Sequence, residues 1–343
     1  MTFVLGVDGG ATKTFAIVAD ERGHIRGFGQ GGPGNHETVG LDSALTEIAR
    51  ACKSALAQSD VTPPVECAVF GLAGADLPTD FDLLSTSLQK LGFSRKLYVE
   101  NDAVIALRAG LKRGWGVGVV CGTGFNACGI GPDGTKLRFP GLGWISGDWG
   151  GGVDIAREVI RLVCRAWDGR GRPTMLAEKV PAILGFSRIE EMIAHLRQEE
   201  LAHYPGWFDR RRLFKVVPLV FEAAYNGDEV AQDLLIRLGN EVGLAASAII
   251  RRLGLEGSDV EVILAGGVFK GRGPLLLDAV TLTVHRVAPR AKVVIAKFEP
   301  VVGAVLLALE SLGIEITDDI YANLEATLPH QLSMNGLSLL ETR

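Results

Sequence analysis

The chain has 343 residues, enough for two domains of ordinary size, and its 47% hydrophobic and 22% charged residues exclude wholesale disorder. A formal net charge of −5 gives no reason to expect nucleic acid or an anionic membrane as a partner. The five cysteines form no CxxC pair, and the sequence contains no signal-like N-terminus and no long apolar run. We therefore expect a cytoplasmic protein with reduced thiols.

The first part of the chain is predicted to begin with three short strands and to continue with alternating helices and strands. The apolar runs FVLGVD and TFAIVAD have strand length and flank a glycine turn. Apolar residues recur at helical spacing over 41–58, and the Gly-rich stretch GGPGNHETVG before them is predicted to be a loop. A strand (VECAVFGLAG), a helix near 79–91, a strand (KLYVEND) and a helix (AVIALRAGLKRG) follow.

The strand, glycine turn and strand then recur in GWGVGVVCGTGFNACGIGPDG, which is a weak internal repeat. A helical stretch over about 152–253, the strand DVEVILAGGVFKG, and a final strand and helix complete the pattern. We predict an α/β fold with one domain over 1–115 and a second over 116–310, the helical stretch being an insertion in the second. The segment 311–343 is left open, with a helix packed on the first domain as one option.

Three apolar strands run into glycine turns, which lie after Asp8, around Thr123 and at Gly266. Glycine lets backbone N–H groups approach an anion closely. One such turn is equally an ordinary hairpin, but three at these intervals favour a polyphosphate clamp. An acid beside phosphate repels it unless a divalent cation lies between, so Asp8 predicts Mg²⁺, held through water. The sequence contains neither a GxxxxGK[ST] P-loop nor a GxGxxG fingerprint opening a βαβ unit.

Eight motifs, in order over nearly the whole chain, resemble those of the BadF/BadG/BcrA/BcrD-type ATPases and N-acetylglucosamine kinases, within the actin-like sugar kinase superfamily. They are GVDGGATKT (6–14), GNHETVG (34–40), FGLAGAD (70–76), VENDAVIA (99–106), VVCGTGFNACGIGPDG (119–134), GLGWISGDWG (141–150), ILAGGVFKG (263–271) and EPVVGAVLLAL (299–309). The resemblance implies two RNase H-like domains with a cleft between them, ATP and Mg²⁺ as cofactors, and a homodimer.

The resemblance also assigns roles to residues. It implies that Asp102 is the general base on a sugar hydroxyl, although an Asp between a strand and a helix is also a good N-cap. The sugar-binding residues implied are Asn35, His36, Asp102, Gly124, Asn126, Gly141, Leu142, Gly143 and Asp148. Turn chemistry is the alternative role for Asn35 and His36.

The nucleotide-binding residues implied are Gly9, Gly10, Thr12, Lys13, Thr123, Gly266, Gly267 and Lys270. The Thr14 hydroxyl is a further candidate donor, and Lys270 is equally compatible with a surface charge. The chain reads Gly-Asp-Trp-Gly-Gly over 147–151, where the family usually has Gly-Asp-Glu-Gly-Ser. Trp149 in place of the acid either stacks on a sugar or packs. The basic run Arg210–Arg212 is predicted to be a solvated helix face rather than an anion site.

The leading interpretation, implied by the resemblance, is ATP-dependent phosphorylation of an amino sugar, N-acetyl-D-glucosamine to its 6-phosphate, with glucosamine as the close alternative. An ATPase activator of 2-hydroxyacyl-CoA dehydratases shares much of the pattern, but it needs thiolates from two subunits for an iron–sulfur cluster, and the cysteines here do not form the expected pair. A nucleotide-dependent regulator without catalysis is the third alternative. Intact Asp8 and Asp102 argue against it.

Overall fold

Two five-stranded mixed sheets form the centre of the computed structural model, which describes residues 1–202 and 213–332. The strands of the first sheet are β1 Phe3–Gly9, β2 Thr14–Asp20, β3 Ile25–Gly31, β4 Val65–Leu72 and β5 Ser94–Asn101. Those of the second are β6 Gly116–Cys121, β7 Phe125–Ile130, β8 Lys136–Arg138, β9 Glu261–Ala265 and β10 Lys292–Ile295. The strand predictions from apolar runs are confirmed in both halves.

The two sheets have the same topology. The first has the order β3-β2-β1-β4-β5 and the second β8-β7-β6-β9-β10. In each, the first three strands pair antiparallel and the last two add in parallel to the first strand. The weak sequence repeat is therefore a repeat of topology, and the predicted fold of two RNase H-like α/β units is confirmed.

The helices follow the predicted order. They are α1 His36–Val39, α2 Leu41–Ser59, α3 Pro78–Gln89, α4 Asp102–Gly110, α5 Gly152–Trp167, α6 Leu176–Ile183, α7 Ile189–Ala202, α8 Val217–Tyr225, α9 Glu229–Arg252, α10 Leu275–His285, α11 Pro300–Glu310 and α12 Asp318–Ala326. The short helix α1 lies in the stretch that was predicted to be a loop. That prediction was wrong because Asn35 caps the turn: its Oδ1 accepts a hydrogen bond from Glu37 N–H at 2.8 Å.

Helix α4 lies between the two sheets and contacts both. A Cβ at Gly71 of β4 would meet Ile105, and a Cβ at Gly118 of β6 would meet Leu107, so the helix packs directly on backbone at each sheet. On its third side, Gly303 of α11 approaches the Ile105 carbonyl so closely that an added Cβ would lie 1.9 Å from it. This packing fixes the position of the first residue of α4 at the strand ends.

The last helices return to the first sheet. A Cβ at Gly6 of β1 would lie 2.6 Å from the backbone nitrogen of Val305, so α11 packs against β1. In α12, Asn323 donates a hydrogen bond to the Arg22 carbonyl at 2.9 Å. The domain boundaries at 115 and 310 remain predictions. The run Arg210–Arg212 and the end of the chain beyond 332 lie outside the described residues.

The cysteines are free thiols. Cys52, Cys67, Cys121 and Cys128 are buried, and Cys164 is half-buried. Within residues 1–202 and 213–332, no helix is both long and apolar enough to cross a bilayer.

Candidate active site

Asp102 is the first residue of α4, but Asn101 is its N-cap. Asn101 Oδ1 accepts a hydrogen bond from the Ala103 N–H at 3.0 Å, and its Nδ2 donates to the Ala75 carbonyl at 3.2 Å. The alternative role predicted for Asp102, capping the helix, is therefore filled by its neighbour. The Asp102 carboxylate stays half-buried at the strand ends, beside the positive end of the helix dipole.

Two carboxyl groups at this edge of the first sheet have pKa values above their usual range. Burial raises the pKa of Asp102 to about 6, with the Asp76 carboxylate adding to the shift. Burial raises the pKa of Asp8, at the end of β1, to about 7, and the Asp102 and Glu299 carboxylates raise it further while Lys13 opposes them. Such paired, shifted carboxyl groups are typical of functional sites. Both lie at the carboxyl ends of strands of the first sheet, Asp8 in β1 and Asp102 directly after β5.

Asp76 and Arg138 belong to this group, although neither was predicted as a site residue. The Arg138 guanidinium, on the edge strand β8, donates to the Asp76 carboxylate and to the Asp76 carbonyl. Asn101 Nδ2 donates to the same carboxylate at 3.1 Å. Burial raises the pKa of Asp76 above its usual range, and Arg138 opposes that shift.

The first glycine turn connects β1 to β2. Gly10 N–H donates to the Lys13 carbonyl at 2.9 Å, which closes the turn, and Thr12 is exposed on it. The Lys13 ammonium lies 4.2 Å from the Phe15 ring centre, and burial lowers the pKa of Lys13. The Thr14 hydroxyl was predicted as a ligand donor, but it donates to the Gly32 carbonyl at 2.8 Å. Thr14 is therefore a structural residue of the turn.

The second turn, between β6 and β7, is held by the start of α5. Gly152 N–H donates to the Gly122 carbonyl at 2.8 Å, and Val153 N–H donates to the Thr123 carbonyl at 3.2 Å. The loop carbonyls are thereby engaged by the helix N-terminus. The N–H group of Gly122 closes the turn on the Gly124 carbonyl at 3.0 Å.

The third turn follows β9 and contacts the second. Gly266 has φ of 105°, and a Cβ there would lie 2.4 Å from the Cys121 carbonyl oxygen. Lys270, at the end of this turn, is only 17% exposed and forms an ion pair with Glu299 at 2.6 Å. Lys270 is thus not a surface charge. The pair borders a small cavity lined also by Gly266 and Phe298.

Three glycines of these turns have no structural need to be glycine. An added Cβ at Gly122, Gly124 or Gly267 would meet nothing within 4 Å, and none of the three has the positive φ that favours glycine. Gly266, by contrast, is required by both its φ and its packing. At turns that follow apolar strands, such glycines leave room for a ligand to approach the backbone closely.

Asn35 and His36 lie beside the first turn. Gly34 N–H donates to the Gly10 carbonyl at 2.9 Å, which joins the two loops. Asn35 is buried and caps α1 through Oδ1, so the turn role is real, while its Nδ2 donates no hydrogen bond to the described part of the chain. His36 Nδ1 is likewise buried without a hydrogen-bond partner among the described residues. Their binding roles stay predictions.

Asn126 and Gly141 lie next to Asp76. A Cβ built at Gly141 would be 3.2 Å from Asn126 Nδ2 and 3.6 Å from Asp76 Oδ1. Asn126 Oδ1 accepts from the Ala127 N–H at 2.8 Å, so its amide nitrogen faces this group. These residues and Asp102 form the part of the predicted sugar site that the structure brings together.

The other end of the 141–149 loop is closed on itself. Asp148 accepts hydrogen bonds from the Gly143 N–H at 3.1 Å and from the Ser146 hydroxyl, while Leu142 is exposed. Asp148 also lines a cavity of about 350 Å³ between this loop and α9. The contact of Asp148, Leu142 and Gly143 with a sugar stays a prediction.

Trp149 packs rather than standing free. Its ring lies 4.2 Å from the Arg237 guanidinium and rests against the core of the second half. Trp149 therefore packs, in part through a cation–π contact. It also lines the cavity that Asp148 borders, and its stacking on a sugar stays a prediction.

Asp8 is the candidate ligand for Mg²⁺. No cluster of three or more His, Cys, Asp or Glu residues suited to a metal occurs in the described ranges. Mg²⁺ commonly binds one or two carboxylates and completes its shell with water and substrate phosphates. A single carboxylate at the glycine turn fits that mode, and Asp8 lies beside further negative groups whose repulsion a cation relieves.

Comparison with known proteins identifies relatives over most of the chain. The N-acetyl-D-glucosamine kinase of Dictyostelium discoideum is 29% identical over 320 residues, covering 90% of this chain and 98% of the relative. The N-acetylmuramic acid/N-acetylglucosamine kinase of Clostridium acetobutylicum is 28% identical over 313 residues, with the same two coverages of 90% and 98%.

A solved structure shares the fold. It is that of a candidate N-acetylglucosamine kinase from Chromobacterium violaceum, with a TM-score of 0.69 at 22% identity, and the match covers 90% of this chain and 99% of that one. The sequence profile of the BadF/BadG/BcrA/BcrD ATPase family matches residues 5–308. The chain therefore belongs to the BadF/BadG/BcrA/BcrD ATPase family.

Proposed function

We propose that this protein is an ATP-dependent sugar kinase that phosphorylates N-acetyl-D-glucosamine on its 6-hydroxyl. The two relatives described above are kinases of N-acetylglucosamine, and each aligns over nearly its whole length. One observation carries the proposal: Asn101 caps α4, which leaves the Asp102 carboxylate available at the strand ends. A carboxylate in that position suits a general base for an acceptor hydroxyl.

Phosphoryl transfer depends mainly on positioning and on neutralising charge. In the proposed step, the sugar hydroxyl gives its proton to Asp102 while its oxygen bonds to the γ-phosphorus, and the bond to the β–γ bridging oxygen breaks to release ADP. A pKa of about 6 keeps most of Asp102 ionised at neutral pH and able to accept this proton. Mg²⁺ bound near Asp8 would supply positive charge to the phosphates.

The three glycine turns are proposed to hold the nucleotide. Open space at Gly122, Gly124 and Gly267 allows phosphate oxygens to reach backbone N–H groups. Lys13 and the Lys270–Glu299 pair lie at the first and third turns. For the sugar, we propose the group of Asn35, Asn126, Gly141 and Asp102, with His36, Leu142, Gly143 and Asp148 as further contacts.

The thiols argue against the activator alternative. A cluster shared by two subunits needs accessible thiolates, and burial raises the pKa of Cys67 to about 11 and that of Cys128 to about 12. Cys164 is only half-buried, yet burial raises its thiol pKa as well. The cysteines therefore behave as small core residues. A cytoplasmic homodimer is part of the proposal, and its dimer is checked by sedimentation.

The test is ATP consumption by the purified protein with N-acetylglucosamine, glucosamine, N-acetylmannosamine, N-acetylmuramic acid, glucose or no sugar. We expect N-acetylglucosamine to stimulate turnover most strongly and the product to be its 6-phosphate, identified by ³¹P NMR. Stimulation by glucosamine alone would change the proposed substrate to glucosamine and would still support a sugar kinase. ATP turnover that no sugar changes would contradict the proposal and favour an activator or a regulator.

A further inference from the structure

The short edge strand β8 ties the second sheet to the first through two ion pairs. Arg138 pairs with Asp76, and Lys136 pairs with Glu100 at 2.8 Å. The two pairs differ in their surroundings: the Arg138 and Asp76 side chains are 19% and 13% exposed, whereas Lys136 is 55% exposed. Arg138 also reaches the Asp76 carbonyl with its second terminal nitrogen, so its planar fork is held at two points.

The Asp76 carboxylate continues the chain of hydrogen bonds to helix α4. It accepts from Asn101 Nδ2 at 3.1 Å, and Asn101 Oδ1 caps the helix at Ala103 N–H. Asn101 is only 2% exposed, so water cannot replace a hydrogen-bond partner that its amide loses. Arg138, Asp76 and Asn101 thus connect the edge of the second sheet to the residue before Asp102.

We propose that Arg138 and Asp76 are positioning residues that hold Asp102 in its reactive orientation and couple that orientation to the second sheet. The positioning role rests on the proposed kinase function, whereas the hydrogen bonds that join Arg138, Asp76 and Asn101 do not depend on it. The Lys136–Glu100 pair bridges the same two sheets and has no hydrogen bond to Asn101 among the described residues. Removing the Lys136–Glu100 pair therefore tests the effect of losing an ion pair between the sheets without disturbing the hydrogen bonds of Asn101.

The two charges of the pair act on Asp102 in opposite directions. Asp76 raises the pKa of Asp102 and Arg138 lowers it. Other charged groups also act here: Asp8, at the end of β1, interacts with Asp102 and with Glu299 and Lys13. Asp80, His36 and Glu37 lie around Asp76. Removing one member of the pair consequently shifts the titration of Asp102 in a direction that depends on which charge is removed.

The experiment measures the pH profile of kcat/KM for the variants Asp76→Asn and Arg138→Gln with the sugar that supports turnover. We expect the acid limb of the profile to move to lower pH in D76N and to higher pH in R138Q, relative to the parent. In both variants kcat should fall about tenfold to a hundredfold, because the Asp102 carboxylate is no longer held in its reactive orientation. Lys136→Gln should leave the limb and kcat unchanged, and Arg138→Lys, which keeps the charge, should keep the limb.

The same shifts in the titration of Asp102 can be measured by NMR, without a turnover assay. Selective ¹³C labelling of aspartate follows the Asp102 carboxyl through its titration, with Asp102→Asn used to assign the signal. Opposite shifts in D76N and R138Q, together with a lowered kcat in both variants, support the network, and circular dichroism verifies that each variant is folded. Shifts that are absent, or that have the same sign in both variants, overturn it. A kinase that is active while Asp102 does not respond would refute only this inference, and an inactive parent with opposite shifts would refute only the proposed function.

Discussion

Asn101 Oδ1 lies 3.0 Å from the backbone nitrogen of Ala103, so the amide side chain of Asn101 closes the first turn of α4. This contact has two consequences. It satisfies a helix N–H that would otherwise lack a partner, and it leaves the carboxylate of the next residue available for chemistry. A helix cap and a candidate general base therefore stand side by side in the sequence with separate tasks.

Loss of this cap should reduce both stability and turnover. Asn101→Ala is expected to cost about 1 kcal/mol of folding free energy and to lower kcat, because Asp76 loses a donor and Asp102 its orientation. Asp228→Ala is the matched control. Asp228 caps α9 by accepting from Ala231 N–H at 2.9 Å, and it also accepts from Thr174 and Met175; none of these is a predicted site residue. It should lose stability by urea denaturation but keep its kcat, whereas equal losses of kcat would contradict the role of Asn101.

We expect the ionised Asp8 carboxylate to destabilise the fold at neutral and higher pH. Its folded-state pKa of about 7 lies above the ordinary value of 3.8, so the fold favours the protonated form. Its contribution to stability is therefore greatest below pH 4 and is lost as pH rises through about 7. Asp8→Asn, measured with a metal chelator present, should melt at a higher temperature than the parent at pH 8 and at the same temperature at pH 4.

The control for Asp8 is Asp82→Asn, an exposed carboxylate on α3. It should not alter the melting temperature at either pH. In the same preparations, D8N should lose Mg²⁺-dependent ATP turnover. A D8N protein that is less stable than the parent at pH 8 would show that Asp8 is held by favourable contacts rather than by burial against like charges.

The Lys270–Glu299 pair should act on the nucleotide. Lys270→Met is expected to raise the KM for ATP about tenfold, which corresponds to roughly 1.4 kcal/mol, and to leave the KM for the sugar unchanged. Lys297 offers the comparison, since its pair with Glu325 has the same 2.6 Å separation but is exposed on both sides. Lys297→Met should behave as the parent does in steady-state kinetics. Equal effects of both variants would remove Lys270 from the site.

Substitutions of glycines that have open space around them test whether the turns bind the nucleotide. Gly267→Ala should fold normally, because the added Cβ meets nothing within 4 Å, yet bind ATP more weakly if the phosphate approaches there. Gly257→Ala, also in open space, is its control. Gly266→Ala should instead lower the melting temperature, because the Cβ would meet the Cys121 carbonyl. Calorimetric ATP affinity in G267A equal to that of the parent would place the nucleotide elsewhere.

The elements of the fold could be read from the sequence because apolar runs and helical spacing report burial. Helix α2 was expected over 41–58 and is Leu41–Ser59. The strands β1 and β6 were recognised by their apolar residues and following glycines. The failure at α1 has a local cause: four residues are too few for a helical period, and only the capping bond of Asn35 signals them.

The site was less predictable because its contacts join distant segments. Asp76 and Glu299 were inside the motifs, but nothing near Asp76 in the sequence indicates that Arg138 pairs with it from a different sheet. Nor does the sequence distinguish the hydroxyl of Thr12 from that of Thr14. Only the fold shows that Thr14 points back to the Gly32 carbonyl and is already occupied.

The most direct test of the account is a comparison of Asp102→Asn with the parent protein, using N-acetylglucosamine and Mg²⁺–ATP. Asparagine keeps the shape of the side chain but cannot accept the proton. We predict that kcat falls by about 10² to 10⁴-fold while the calorimetric Kd for the sugar changes little. Turnover in D102N comparable to that of the parent would contradict the assignment of Asp102 as the general base.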